Sequence, residues 1–244
     1  MSAVDLQVRL IGSSRFVAPD EVPFDSEVDG GQALSEFAGR AVYQSWARAV
    51  PATATNAGFL AHILQVGHLS VLEHATATCY VTGLSRAAAH ELIRHRHLSV
   101  SQLSPRTPTR DWVTPAGLDA GQRERFDTAA GEAARAHAEL LDELESAADD
   151  GPGSSLHRKQ ARQVAAGLLP SASATAAVVT GNYRAWRHFI GTRATDAADV
   201  EVRGLAVAVL RLLQSEAPHV FADFRISRLP DGTETAASPL LGEG

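Results

Sequence analysis

Residues 94–106 read RHRHLSVSQLSPR, and the rest of the chain is best understood by working outward from this stretch. Arg94, Arg96 and Arg106 supply guanidinium groups, with two histidines and three serines among them. Guanidinium matches phosphate geometry with paired hydrogen bonds, so this local positive charge predicts a confined site for an anion. The charge alone is equally compatible with a solvated, arginine-rich loop that follows a helix.

The composition is that of an ordinary globular protein. The 244 residues carry a formal net charge of −6, and 45% of them are hydrophobic. A net negative chain argues against broad nucleic-acid binding, which needs an extended basic face. No apolar run approaches the roughly 18 residues of a membrane span, and the N-terminus lacks the pattern of a secretory signal. Because Cys79 is the single cysteine, no internal disulfide can form, which favours a cytoplasmic location.

Hydrophobic periodicity predicts an α+β fold, with a mixed or antiparallel sheet and long helices. Strands are expected over 5–11, 76–82 and 174–180, and helices near 32–46, 55–66, 86–95, 122–148, 155–169, 182–195 and 199–216. Residues 15–31 and 97–118 are predicted loops. We expect one domain over 1–228, followed by a Gly- and Pro-rich C-terminal tail over 229–244 that is ordered only by its neighbours.

Two of the predicted helices carry polar side chains on one face. Over 86–95, Ala88, Ala89, Leu92 and Ile93 share an apolar face, and Glu91, Arg94 and His95 share the opposite one. Over 182–195, Trp186, Phe189 and Ile190 form an apolar stripe that has Asn182 and Arg193 at its ends, while Arg184 and His188 form a separate polar edge. An arginine in line with buried aromatic residues either ends in a salt bridge or lines a pocket, and the pattern leaves both interpretations open.

The arrangement Arg-His-Arg, Ser99, Ser104 and Arg106 resembles the signature RHRxxSxxxxSxR of the flavin-dependent thymidylate synthases, the ThyX family. Three further stretches are similar to other blocks of that family, in the same order: GHLSVLEH (67–74), HELIRHRH (90–97) and GNYRAWRHFIGTRA (181–194). The resemblance extends from about residue 6 to about residue 226.

This resemblance implies C5 methylation of a uridylate, from dUMP to dTMP. In the family, reduced FAD supplies hydride, methylene-tetrahydrofolate supplies the carbon, and NADPH reduces the flavin. Arg193 matches the residue credited with polarising the uracil near N3. A conventional thymidylate synthase instead uses a cysteine thiolate, but Cys79 lies in an apolar strand without an obvious activating base, so we interpret it as structural. No GxGxxG fingerprint is present to hold the flavin.

The resemblance also assigns binding residues by position. Those that match the nucleotide site are Glu91, Arg94, Gln102, Ser104, Pro105, Arg106 and Arg193. Those that match the FAD site are His68, Ser70, Arg94, His95, Arg96, Gln102, Asn182, Arg184 and His188. No metal ligand is expected, because no spacing around His68 and His74 supports a metal site. Members of the family are homotetramers whose active sites are shared between subunits.

The chain departs from the family pattern at three positions. Thr107 follows Arg106 where a tyrosine is common, and Ala166 stands where an arginine usually contacts the nucleotide phosphate. Ala176, in the strand before Gly181, stands where related chains can carry arginine. Arg162, four residues earlier on the same predicted helix, is the best-placed substitute. Three functions therefore remain open: dUMP methylation, a paralogue that also accepts UMP as in nucleoside-antibiotic pathways, and a flavin- or nucleotide-binding protein without turnover. The presence of Arg193 and of the Arg-His-Arg triplet favours the first two functions, in which the protein is an enzyme.

Overall fold

A computed structural model describes residues 2–107, 111–147 and 154–241 of the chain. Its strands are β1 Gln7–Ser13, β2 Thr76–Ser85, β3 Ser99–Gln102, β4 Ala174–Asn182, β5 Arg225–Arg228 and β6 Glu234–Ala237. Its helices are α1 Gly30–Tyr43, α2 Asn56–Val66, α3 Arg86–Leu92, α4 Ala120–Ser146, α5 Ser154–Ala165, α6 Tyr183–Arg193, α7 Val200–Glu216 and α8 Pro218–Phe221. Short 3₁₀ turns occupy Pro51–Thr53, Leu69–Glu73 and Ala166–Leu168. The predicted α+β class is confirmed.

The strands form two sheets in the described part of the chain. A four-stranded sheet has the order β1-β2-β4-β3. The second sheet is the antiparallel hairpin β5-β6, in which Ile226 lies opposite Ala236. Contacts within the chain cluster into two compact units. The first unit comprises Met1–Gln7, Val81–Arg94 and Ser101–Ala177, and the second comprises Val8–Tyr80, His95–Val100 and Val178–Gly244.

Local sequence signals explain the ends of several helices. Thr55 caps the start of α2 by accepting a hydrogen bond from the backbone of Gly58, and Gly67 ends the helix with a left-handed φ of 72°. Glycine adopts that conformation without steric cost, which is why it is common at helix C-termini. Ser85 likewise caps α3 and Asn182 caps α6, through bonds from Ala88 and Ala185.

In the second unit, α6 is anchored by its buried face. Trp186, Phe189 and Ile190 are at most 1% exposed, as the apolar stripe predicts. Trp186 Nε1 donates to the carbonyl of Ala77 in β2 at 3.0 Å. The sequence pattern missed Arg187, which is equally buried and pairs with both oxygens of Asp223 at 2.7 Å. Helix α6 is therefore fixed by an aromatic cluster and a buried ion pair, and this anchoring orients its exposed polar edge.

In the first unit, α4 packs against α5. Asp119 and Gln122 form a reciprocal capping box at the start of α4. Ala130, Ala134 and His137 are its buried residues. The periodicity of the sequence predicts an apolar stripe along this helix, and of its residues Ala130 is buried while Phe126, Ala133, Leu140, Leu141 and Leu144 are half-buried.

Several expectations were wrong in detail. Helix α3 ends at Leu92 rather than at residue 95, and Ile93 is 44% exposed instead of joining the apolar face. Strand β3 lies inside the predicted loop 97–118, and β6 lies inside the predicted tail.

Parts of the prediction are not addressed by these residues. The last residue of the helix predicted over 122–148 and residues 108–110 of the predicted loop 97–118 lie outside the described ranges. The domain boundary at residue 228 stays a prediction. Among the described helices, none combines the length and apolarity required to cross a membrane.

Candidate active site

The first feature of the candidate site is a contact between two of its predicted residues. Arg193, at the end of α6, donates from Nε to Nε2 of His95 at 2.8 Å. Both residues belong to the second unit and are partly buried. A ring nitrogen that accepts a hydrogen bond carries no proton, so this contact requires a neutral His95 with its proton on Nδ1. The middle residue of the Arg-His-Arg triplet thus fixes the orientation of the Arg193 guanidinium.

The ring of His95 is held in turn by α6. It packs edge-on against Phe189 with a centroid distance of 5.0 Å and lies 6.3 Å from the ring of His188. The ring of His97 approaches His188 from another direction at 6.1 Å. The three imidazoles therefore line up along the exposed edge of α6.

A cavity of about 470 Å³ opens beside these rings. It is lined by Glu73, His97, Asn182, Arg184, Ala185 and His188. This volume lies within the roughly 300–1,000 Å³ of small-molecule sites. Asn182, Arg184 and His188 were predicted from the sequence, whereas His97 and Glu73 were not assigned. Both of these lie inside matched sequence blocks, so their neighbourhood in the chain was the only available signal.

The lining suits a charged, hydrogen-bonding cofactor. Arg184 contributes a guanidinium, His97 and His188 contribute imidazoles, and Asn182 contributes a side-chain amide. Arg184 pairs with Glu73 at 2.5 Å, but both side chains are about half exposed, so water screens this ion pair. The Arg184 guanidinium has five donors, and its one hydrogen bond to Glu73 within the described part of the chain leaves most of them for an anionic ligand.

Gly181, which lies just before α6, is in close contact with the side chain of Leu98 from the Arg-His-Arg stretch. A side chain at Gly181 would meet Leu98 Cδ2 at 2.5 Å and Trp186 Nε1 at 3.2 Å. A Cβ atom at the first distance would force the Leu98 side chain to move, so glycine at residue 181 leaves room for Leu98 in its present position. This close approach brings residues 95–98 against the start of α6.

The remaining predicted flavin residues of the second unit lie on exposed turns. Arg96 is in the turn that follows α3, and His68 and Ser70 flank the start of the 3₁₀ turn Leu69–Glu73. None of these three lines the cavity, although Glu73 at the end of that same turn does. Their role as FAD ligands stays a prediction.

The predicted nucleotide residues of the first unit belong to two segments, the end of α3 and the turn after β3. Glu91 and Arg94 are paired at 3.2 Å across the end of α3. Ser104 Oγ accepts from the backbone of Arg106 at 3.3 Å, and Leu103 bonds to the carbonyl of Ala176 at 2.8 Å. The side chains of Ser104, Pro105 and Arg106 are exposed, and that of Gln102 at the end of β3 is half-buried. A short hydrogen-bonded turn after β3 thus presents a hydroxyl and a guanidinium to solvent.

The position of the expected phosphate arginine is half-buried Ala166, in the 3₁₀ turn after α5. Arg162, the best-placed substitute, pairs with Glu145 of α4 at 3.0 Å, and both side chains are substantially exposed. A phosphate would have to compete with Glu145 for this guanidinium. Whether Arg162 replaces the missing contact stays a prediction.

Cys79 is unsuited to nucleophilic catalysis. It is fully buried in β2, and burial raises the pKa of its thiol to about 11. At neutral pH on the order of one thiol in ten thousand would be ionised. A buried, protonated thiol cannot be the attacking group of a cysteine-dependent methylation. Among the residues 2–107, 111–147 and 154–241, no group of three or more His, Cys, Asp or Glu side chains is arranged to hold a metal ion.

Comparisons with known proteins show the class of enzyme to which the chain is similar. The family model described as thymidylate synthase complementing protein matches residues 26–219. Similar proteins named flavin-dependent thymidylate synthase occur in Mycobacterium tuberculosis (strain H37Ra), 55% identical over 98% of this chain and 97% of that protein, and in Mycobacterium avium (strain 104), 56% identical over the same shares. The corresponding protein of Mycobacteroides abscessus is 54% identical over 99% of this chain and 98% of its own length.

The chain therefore belongs to the family of flavin-dependent thymidylate synthases. The expectation from the sequence that it is an enzyme of this family is confirmed.

Proposed function

We propose that the chain catalyses the FAD-dependent, reductive C5 methylation of dUMP to dTMP, with methylene-tetrahydrofolate as the carbon donor and NADPH as the reductant. The observation that carries this proposal is the hydrogen bond between Arg193 and His95. It ties the guanidinium expected to act on the uracil to the signature triplet, and the His95 ring lies near His188 of the cavity. We propose UMP as a further substrate.

The cofactor residues of this proposal are those of the second unit. The donor groups of His97, Asn182, Arg184 and His188 fit a cofactor that carries a diphosphate, and Arg96, His68 and Ser70 would extend the same site. When bound, FAD would supply the hydride that completes the methyl group. Because the chain has no glycine-rich dinucleotide fingerprint, side chains must provide the affinity.

The role of Arg193 follows from the charge that develops on the uracil. Making C5 nucleophilic places negative charge on the ring near N3 and the adjacent carbonyl oxygen. A guanidinium already oriented by His95 stabilises that charge without reorganising, which is the form of catalysis that costs least at the moment of reaction. His95 acts on this step by positioning Arg193. Ser104 and Arg106 would hold the phosphate and thereby orient the nucleotide.

The experiment that tests the function is product formation with dUMP and UMP assayed side by side. Flavin-loaded protein, NADPH and methylene-tetrahydrofolate should yield a nucleotide heavier by one methyl group from dUMP, measured by mass spectrometry. Omitting FAD or either co-substrate is the control. Binding of nucleotide and flavin without methylated product would favour the alternative, a binding protein without turnover. A higher kcat/KM with UMP would favour the specialised paralogue.

Arg96→Ala is expected to weaken FAD binding while leaving the fold intact, because Arg96 is exposed and lies in a turn. A hydrogen bond from a charged group is worth about 1.5–3 kcal/mol, so the dissociation constant should rise by roughly tenfold to a hundredfold. Flavin fluorescence titration measures this change. Arg125→Ala, an exposed arginine on α4, is the matched control. If the Arg96 variant keeps the affinity of the wild type, the cofactor assignment of the triplet is wrong.

Cys79→Ala is expected to retain methylation activity within a few-fold, because no bond to the enzyme is formed through a thiol. The buried position should cost some stability through a small cavity. Turnover and the melting temperature of the same preparation separate these two effects. A folded, flavin-loaded variant without turnover would restore the cysteine mechanism.

We also propose that the protein acts in the cytoplasm as a homotetramer with shared active sites. Support for self-association comes from the neighbouring strands β2 and β4, each of which exposes an apolar side chain: Tyr80 at 39% and Val178 at 36%. Apolar side chains exposed on adjacent strands are typical of interfaces. Native mass spectrometry of the flavin-loaded protein measures the oligomeric state, and a monomer would contradict the proposal.

A further inference from the structure

A second cavity lies in the second unit, between α7 and the β5-β6 hairpin, and has a volume of about 320 Å³. Three arginines line it, Arg203, Arg211 and Arg228, and we call it the arginine cleft. Its other lining residues are Val200, Gly204, Val207, Gly232, Thr233 and Glu234. None of these residues was predicted from the sequence to bind substrate or cofactor.

Arg203 is the fixed element of the arginine cleft. It is only 3% exposed, and it donates from Nη1 to the carbonyl of Asp196 at 3.0 Å and from Nη2 to Thr233 Oγ1 at 2.7 Å. Its Nε is buried and has no hydrogen-bond partner among the residues that the structure describes. Buried polar atoms in native proteins nearly always have a partner, so an unsatisfied one points to a missing ion or water.

The other two arginines are more accessible. Arg211 is about half exposed and donates from Nη2 to Glu234 at 2.7 Å. Arg228 is exposed and attracts Glu234 electrostatically, and its side chain makes no hydrogen bond within the described part of the chain. Most donors of these two guanidinium groups are therefore not taken up by protein partners.

The charge of the arginine cleft is positive. The hydrogen bond from Arg211, and then the charges of Arg211 and Arg228, lower the pKa of Glu234. Hydrogen bonds from Thr233, and then the charge of Arg203, lower the pKa of Asp231, which lies 3.7 Å from Arg203. Both carboxylates are ionised at neutral pH, yet three guanidinium groups still leave one positive charge in excess. The whole chain carries a net charge of −6, so this local positive charge does not make the protein attract anions in general. It acts only on an anion that enters the cleft.

We propose that the arginine cleft binds the phosphate groups of a small phosphorylated metabolite. Guanidinium forks match phosphate oxygens in pairs, and phosphate carries more charge than a single carboxylate. The confined volume and the two nearby carboxylates disfavour a nucleic-acid polymer, which needs a continuous basic face. The proposal does not rest on the proposed function, because none of its residues belongs to the candidate active site.

The test is a calorimetric titration of sodium pyrophosphate into the flavin-loaded protein at low ionic strength. The proposed nucleotide site is unchanged in every variant, so only the binding that depends on Arg228 is assigned to the arginine cleft. Wild-type protein should show saturable binding, and Arg228→Gln should weaken it by about tenfold. Glu234→Gln should tighten binding, because it removes the carboxylate that competes for Arg211. Opposite effects from two substitutions in the same cleft cannot both arise from misfolding.

Arg225→Gln is the matched control, since Arg225 lies on the same strand and bonds to the carbonyls of Ala222 and Phe224 instead of lining the cleft. If Arg225→Gln weakened pyrophosphate binding as much as Arg228→Gln, the loss would reflect only the removal of a positive charge, and the proposal would be overturned. Absence of saturable binding in the wild type would also overturn it. Equal affinity for succinate would overturn the assignment to phosphate. If the protein does not methylate dUMP but Arg228→Gln still weakens pyrophosphate binding, the proposed function is wrong and the proposed phosphate site stands.

Discussion

Replacing Arg193 with alanine is expected to lower kcat for dUMP methylation by roughly 100- to 1,000-fold, because removing one preorganised donor to developing negative charge usually has an effect of this size. The KM for dUMP should change much less, since the phosphate is proposed to be held by Ser104 and Arg106. Arg193→Lys should remain far below the wild type. Lysine keeps the positive charge but has no Nε to donate to His95, so its orientation is lost.

Steady-state kinetics at saturating co-substrates measure this effect. Thr192→Ala is the matched control, because Thr192 is the preceding, exposed residue of α6 and its hydroxyl bonds only to helix carbonyls, those of His188 and Phe189. That variant should keep nearly full activity. An Arg193→Ala protein that binds FAD and turns over at the wild-type rate would show that Arg193 does not act on the uracil.

Replacing Asp223 with asparagine is expected to lower the free energy of unfolding by about 3–5 kcal/mol, because it leaves a buried guanidinium without its counter-charge. Asp223 accepts two bonds from Arg187 and a further one from Ser238. The Arg187 side chain is 1% exposed and that of Asp223 is 8% exposed. Urea denaturation at neutral pH measures the loss. Glu145→Gln, which breaks the exposed pair with Arg162, should change the same free energy by less than about 1 kcal/mol.

The pH dependence of stability gives a second test of the same pair. Burial alone would raise the pKa of Asp223, but the hydrogen bonds and charge of Arg187, together with Ser238, outweigh burial and hold the pKa below its ordinary value. A carboxyl group whose pKa is lower in the folded state stabilises the protein above its unfolded pKa, which is about 3.9. This contribution disappears as the pH falls through the folded pKa. The wild type should therefore lose stability faster than Asp223→Asn on acidification, and parallel acid curves would contradict the assignment.

The sequence predicted the parts of the molecule that depend on local pattern. Helix α6 is the clearest case, since the spacing of Trp186, Phe189 and Ile190 defined its buried face and left Arg184 and His188 on the exposed edge. Capping residues such as Thr55 and Ser85 also act within one turn of their own position, so they can be recognised from the sequence alone.

Features that depend on distant partners could not be predicted in this way. Strands β3, β5 and β6 have four residues each, which is too short for a reliable alternation, and pairing with another strand stabilises them. Arg187 is buried because Asp223, 36 residues later, neutralises it. The cavity joins Glu73 and His97 to α6 through folding, and no spacing in the sequence links them.

The burial of Cys79 has a consequence for inhibitor chemistry. The chain has a single cysteine, and its thiol lies in the interior of β2, protonated and out of reach of solvent. Electrophilic compounds that inactivate enzymes by alkylating a catalytic thiol have no accessible target in this protein. Selective inhibitors would instead have to gain their affinity from non-covalent contacts, and the cavity beside α6, with its imidazole and guanidinium groups, offers hydrogen-bond donors for anionic or heteroaromatic compounds.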